Sequence, residues 1–156
     1  MASAVLRQRA AQRGWSAWLQ VDSAGTYDGH AGEPADRRAV SLATARGYPD
    51  ILTERARGVT DADFVAFDLI LAMDWFNLAR LMNRCPPEHQ HKLARFLDFA
   101  GCPTAGDGGD VPDPYHEPAS AFEAVLGLCE QGAEGVLDRL AAHAPGRRRP
   151  GIGRRP

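Results

Sequence analysis

The sequence predicts an α/β fold with a parallel sheet, and three observations carry that expectation. Helix-period stretches alternate with short apolar stretches along the chain. The run Leu69-Ile70-Leu71-Ala72 is continuously apolar rather than alternating, the pattern of a strand covered on both faces. The connections between these stretches are dense in glycine, proline and aspartate, as turns are. The 156 residues, 44% hydrophobic and 24% charged, are one domain's worth of globular sequence.

Taken in order, the chain opens on a helix from Ala2 or Ser3 to about Arg13, with Val5, Leu6 and Ala10 on one side and Gly14 as the stop. Trp15 to Asp22 reads as a short strand through its apolar Trp18, Leu19 and Val21. Ser23 to Thr26 is a turn, and Asp28 to Pro34 a glycine-rich loop. A helix follows from about Asp36 to Arg46; Gly47 caps it and Pro49 forbids its continuation. Thr60 and Asp63 resemble a capping box for a short helix to Ala66. After the buried-type strand, Asp74 caps a helix to about Arg84, with Trp75, Leu78, Leu81 and Met82 at its apolar positions. Leu93 to Phe99 is expected to be a third strand, Cys102 to Glu117 a long loop, and Ser120 to about Ala142 the last helix.

The net charge of −2 sums two unlike parts. The tail, 145–156, holds five arginines and no acid; without them, 13 basic residues face 20 acids, so 1–144 carries −7. That body is a poor candidate for nucleic-acid binding. The tail, nearly devoid of apolar side chains, is expected to be disordered, so the folded domain is expected to span 1–144. No apolar run reaches the roughly 20 residues that cross a bilayer, and the first residues lack a signal peptide's apolar core. The expectation is a cytoplasmic protein with no membrane partner. Cys85, Cys102 and Cys129 are far apart and form no CxxC pair, which argues against a zinc ribbon or a redox dithiol.

In open α/β sheets the chemistry sits beyond the carboxyl ends of the strands. Three loops qualify: Ser23 to Thr26, Met73-Asp74, and the stretch around Asp113. In Asp110-Val111-Pro112-Asp113-Pro114-Tyr115-His116 two prolines preset the loop that carries Asp113, as suits a general acid with a fixed aim. Ser23 lacks a nucleophile elbow. The five histidines show no metal-ligand spacing. Gly106, Gly108 and Gly109 are not followed by Lys-Ser/Thr and are no Walker loop. Neither a metal nor a cofactor is expected.

Several of these segments, in order, resemble the low-molecular-weight protein-tyrosine phosphatases over about residues 1–142. They are Val21-Asp22-Ser23-Ala24-Gly25-Thr26; Gly32-Glu33-Pro34 with Asp36, Arg38, Ala39 and Val40; Arg55-Ala56-Arg57; Phe67 to Asp74 with Asn77-Leu78; and Asp110 to Tyr115. The resemblance implies a flavodoxin-like sheet of four parallel strands with helices on both faces. It implies hydrolysis of phosphotyrosine in proteins, or of small phosphomonoesters, through a phosphocysteine intermediate. Asp113 would be the general acid and base, Tyr115 would line the substrate cleft, and Ser23 would support the phosphate loop. Asp74 and Asn77 would form the structure behind the site.

One departure is large. The family's nucleophile lies in a C-x5-R-S loop between its first strand and first helix. None of the three cysteines here has an arginine six positions later, and Met1 to Arg7 resembles the helix that follows that loop. The resemblance therefore implies that the first, central strand and the nucleophile are missing from this chain, and that its start is internal to a longer, active protein. Smaller departures are Gly29, where many members have an aromatic residue, and Glu54, where histidine is common. Two other readings stand beside the phosphatase: a non-catalytic phosphatase-like module that binds a partner, and an arsenate reductase relative. The last needs neighbouring redox cysteines, and Cys85 and Cys102 are too far apart.

Overall fold

The structure, a computed structural model, describes residues 1–144; the arginine-rich tail lies outside the described residues. Its elements are α1 (Ala2–Gln12), α2 (Arg37–Ala45), α3 (Asp61–Ala66), β1 (Ile70–Ala72), α4 (Trp75–Arg84), β2 (Leu93–Arg95), α5 (Phe96–Phe99) and α6 (Ala119–Leu140). Short 3-10 turns at Pro49–Leu52 and Pro87–Lys92 complete the set.

The two strands pair in parallel, with Ile70, Leu71 and Ala72 opposite Leu93, Ala94 and Arg95. A parallel pair needs a crossover connection, and α4 supplies it. Side chains alternate across the pleat. Leu71 packs into a large core built from α1, α2, α5 and α6, whereas Ile70, Ala72 and Leu93 face a smaller core of Phe64, Leu78, Leu81 and Cys85. Helices thus cover both faces of the sheet. That is why the strand pattern is continuously apolar.

The helices other than α5 match the sequence-based expectations to within about two residues, because their signals are local. Gly14 and Gly47 adopt φ of 72° and 87° just beyond α1 and α2, a left-handed conformation that glycine enters without steric cost. Asp36 accepts the Arg38 N–H at 2.7 Å and Asp74 the Asn77 N–H at 2.5 Å, each capping its helix.

The strands depart from expectation. Trp15 to Asp22 is not a strand. Trp18 and Leu19 N–H both return to the Trp15 carbonyl, making a turn. Beyond it, the Val21 carbonyl is met by the Arg7 guanidinium at 3.0 Å, not by a neighbouring strand. Apolar composition is compatible with a strand, but a ladder requires a partner. The expected strand from Leu93 to Phe99 is ladder only to Arg95; Phe96 to Phe99 turn into α5, which buries Phe96 and Leu97 against α6. The sheet of the described residues accordingly has two strands, not the three read from the sequence.

An ion-pair strap ties the extended segment to α3. Arg57 reaches Asp22 at 2.8 Å and Asp63 at 2.8 Å, and Asp63 also accepts the Thr60 N–H at 2.7 Å. The Arg57 bonds, then those from Thr60, hold the Asp63 carboxyl down from 3.8 to about 2. A carboxyl depressed in the folded state stabilises the fold above its unfolded value, and that contribution is lost as pH falls through the folded value. Asp63→Asn should therefore flatten the decline of Tm between pH 4 and pH 2 and lower Tm at pH 7. A decline as steep as in the parent protein would disprove the strap's role.

Candidate active site

Two groups of side chains stand at the loops flagged by the sequence. The first surrounds Asp113. Val111 donates its N–H to the Met73 carbonyl at 2.8 Å, which seats the loop immediately beyond the carboxyl end of β1. The Asp113 carboxylate is exposed and accepts the Tyr115 N–H at 3.0 Å. Tyr115 is exposed too, its ring edge-on to His116 with centroids 5.0 Å apart. A carboxylate at the rim, aimed by its own turn, can exchange protons with a bound molecule.

Arginines hold this loop at both ends. Arg95, 8% exposed, donates to Asp110 at 2.7 Å, to the Gly108 carbonyl at 3.0 Å and to both Asp98 oxygens, and lies 4.6 Å from the centroid of the Trp75 ring. Arg38, from the first turn of α2, donates to the carbonyls of Tyr115 at 2.8 Å and Glu117 at 3.0 Å.

The second group is Ser23 with Asp22, Glu54 and Arg57. Ser23 is exposed and its N–H bonds Asp22 at 2.7 Å. The turn is held to the neighbouring segment by Gly25 N–H to the Arg57 carbonyl at 2.8 Å and Val59 N–H to the Gly25 carbonyl at 2.9 Å. Glu54 accepts from Ser3 Oγ at 2.5 Å and pairs with Arg7, whose guanidinium also meets the Val21 carbonyl, so this group is tied to the start of α1 through Arg7. Gly29 is overlain by Tyr27, so that a Cβ there would overlap the phenol ring.

Of the residues named from sequence, Asp113 and Tyr115 share one loop. Asp74 and Asn77 adjoin its anchor at Met73, with the Asp74 carboxylate engaged in capping α4. Ser23 belongs to the separate second group. Sequence reasoning missed Arg95 and the grip of Arg38. Arg95 offered no signal beyond an acid three positions on; Arg38 stood in the segment that carries the family resemblance, but nothing near it in sequence pointed to the acid loop.

The cysteines are poorly placed for nucleophilic work. Burial pushes the Cys85 thiol up and the Cys129 thiol up to about 11, the direction that disfavours a thiolate. Cys102 is half-buried, with its sulfur beside the Ala100 carbonyl and the Gln131 amide. Among the described residues no cluster of three or more His, Cys, Asp or Glu could hold a metal, and no helix is long and apolar enough to cross a membrane.

The profile of the family described as low molecular weight phosphotyrosine protein phosphatase matches residues 1–145. A low molecular weight protein-tyrosine-phosphatase of Streptomyces coelicolor is 34% identical over 147 residues, covering 94% of this chain and 88% of that protein. The human low molecular weight phosphotyrosine protein phosphatase is 32% identical over 139 residues, covering 89% and 85%. A crystal structure of protein tyrosine phosphatase from Entamoeba histolytica aligns with a TM-score of 0.83 at 32% identity, over 91% of this chain and 88% of that one. That of YfkJ from Bacillus subtilis aligns with a TM-score of 0.81 at 30% identity, over 91% and 86%. The chain belongs to the low molecular weight protein-tyrosine phosphatases, and its α/β fold with a parallel sheet is theirs.

Proposed function

We propose that this chain carries the acid loop and substrate rim of a phosphomonoester hydrolase acting on phosphotyrosine, and that turnover requires a Cys-x5-Arg loop absent from its 156 residues. The observation that carries this reading is the placement of Asp113. Its loop is anchored to the residue after β1 and clamped by Arg38 and Arg95, while burial disfavours the thiolates of Cys85 and Cys129.

A cleft of about 630 Å³ supports the second half of the proposal. It runs between α1, the unladdered segment Leu19 to Asp22, and Phe67 just before β1. Apolar Leu19, Val21 and Phe67 line it together with Arg7 and Asp22, and an added strand would take over the Val21 carbonyl that Arg7 now meets. A strand leading into a phosphate loop fits there as the central strand of a flavodoxin-like sheet. Its loop would reach the start of α1, where backbone N–H groups favour an anion.

In the mechanism, the thiolate of that loop attacks phosphorus and the P–O bond to the phenolic oxygen breaks. Asp113 gives its proton to the departing oxygen, and the phosphoryl group rests on sulfur. Asp113, now a carboxylate, takes a proton from water, whose oxygen attacks phosphorus. The P–S bond breaks, phosphate leaves, and thiolate and carboxylic acid are restored. Tyr115 would flank the substrate ring and Ser23 would steady the phosphate loop by hydrogen bonding. The three free thiols suit a reducing, cytoplasmic setting. Neither a metal nor a cofactor enters these steps.

The test is an assay with p-nitrophenyl phosphate. Residues 1–156 alone should show no turnover, and a form bearing a strand and Cys-x5-Arg-Ser segment ahead of Met1 should hydrolyse the ester. Robust turnover by 1–156, undiminished when Cys85, Cys102 and Cys129 are all changed to serine, would overturn the phosphocysteine mechanism. No turnover by the extended form would favour a module that binds a partner without catalysis.

A further inference from the structure

We propose that Arg38 is a positioning residue that aims Asp113 by holding the backbone on the far side of the acid loop. The inference rests on the phosphatase reading for its functional meaning, but its structural core stands on contacts in this chain alone.

Arg38 is an exposed arginine with four hydrogen bonds rather than a solvated one. Its Nε donates to Asp36 Oδ1 at 3.1 Å and Nη2 to Asp36 Oδ2 at 2.9 Å, a bidentate fork of the geometry that suits guanidinium and carboxylate. Nη2 also donates to the Tyr115 carbonyl at 2.8 Å, and Nη1 to the Glu117 carbonyl at 3.0 Å. The guanidinium lies 4.3 Å from the centroid of Phe122, a buried ring of α6. Asp36 is itself immobilised as the cap of α2 and, through its bonds with Arg38, is held down from 3.8 to about 2. The fork therefore keeps its charge at neutral pH. The result is a fixed post, built from α2 and α6, that grips a loop 77 and 79 residues away in sequence.

Tyr115 links the post to the acid. Its carbonyl is held by Arg38 and its N–H by the Asp113 carboxylate. Fixing the carbonyl restrains the residue's backbone, and the N–H in turn restrains the carboxylate. Pro112 and Pro114 set φ at their own positions but leave the loop free to swing as a whole. Arg95 holds the loop before Asp113 through Asp110 and Gly108; after Asp113, besides the Glu117 N–H to Pro114 carbonyl bond at 3.0 Å, Arg38 makes the hydrogen bonds that tie the loop to the rest of the fold. A lysine there would keep the charge but could not fork Asp36 and reach two carbonyls together.

The decisive experiment is residue-resolved amide hydrogen exchange on residues 1–156. Arg38→Met keeps an apolar stem against Phe122 and removes every donor. It should speed exchange at Tyr115 and Glu117 by about tenfold or more, the loss of two charge-assisted bonds, while amides of α6 change less than about twofold. Arg38→Lys should recover part of the protection. Unchanged exchange at Tyr115 and Glu117, or an equal acceleration throughout α6, would overturn the proposal; the latter would mean that Arg38 props the fold, not the acid. In the form bearing the phosphate loop, Arg38→Met should lower kcat more for phenyl phosphate than for p-nitrophenyl phosphate, with KM little changed, because the poorer leaving group needs the aimed proton. Equal losses on both esters would also overturn it. A phosphate-loop form that hydrolyses neither ester indicts the phosphatase reading, and the exchange data still decide the question for Arg38.

Discussion

Asp113→Asn, with a Cys-x5-Arg loop in place, is expected to slow hydrolysis of phenyl phosphate by about 10²–10⁴-fold, the usual worth of a positioned general acid. The amide retains an oxygen that can accept the Tyr115 N–H, so the turn that aims position 113 survives while its proton is lost. Asp113→Ala removes both the proton and the turn and should be at least as slow. The deficit should shrink as the leaving phenol becomes more acidic, since a stable phenolate departs without a proton. Hydrolysis of the phosphocysteine should slow as well, because the proposed mechanism has the same carboxylate activate water. Rates measured over a series of aryl phosphates check this. A deficit that is small, or uniform across leaving groups, would remove Asp113 from the role.

Gly135→Ala should destabilise the fold by about 1–3 kcal/mol, although alanine is ordinarily the better helix former by about 1 kcal/mol. The sign reverses because α6 lies directly on the turn after α5. A Cβ at 135 would overlap the Ala100 carbonyl oxygen and lie 2.9 Å from the Ala100 Cβ. That oxygen is backbone and cannot rotate aside. Relief requires lifting α6 from α5, where Phe96 and Leu97 are fully buried. The same helix supplies the control. A Cβ at Gly127 would have nothing within 4 Å, so Gly127→Ala should be stabilising by roughly 0.5–1 kcal/mol. Thermal or urea unfolding of the pair separates packing from propensity. A stabilised Gly135→Ala would show that the helix can shift at no cost.

The opposite fates of two glycines in one helix mark a wider division. Helices were legible in the sequence because their signals lie within a few residues. The Asp74 cap, the Thr60 and Asp63 pair, and the glycines at 14 and 47 each act on neighbouring backbone. Strands were less legible. Leu93 to Phe99 is apolar enough for a strand, yet α5 begins at Phe96, where burial against α6 prevails over β-propensity. Trp15 to Asp22 carries strand-like residues and makes no ladder, since pairing is settled by what lies alongside.

For the candidate site the same reasoning holds. Asp113 stood out by itself because two flanking prolines preset its loop. What grips that loop did not, for Arg95 and Arg38 reach it from 15 and up to 79 positions away in sequence. The sequence alone determined the family, the boundaries of the helices other than α5, and which loop carries Asp113, all of which rest on residue types at short spacing. Only the tertiary structure decided which arginines hold that loop and which thiols are shut away. Those depend on distant segments meeting, and their partners' identities are not encoded in any local pattern.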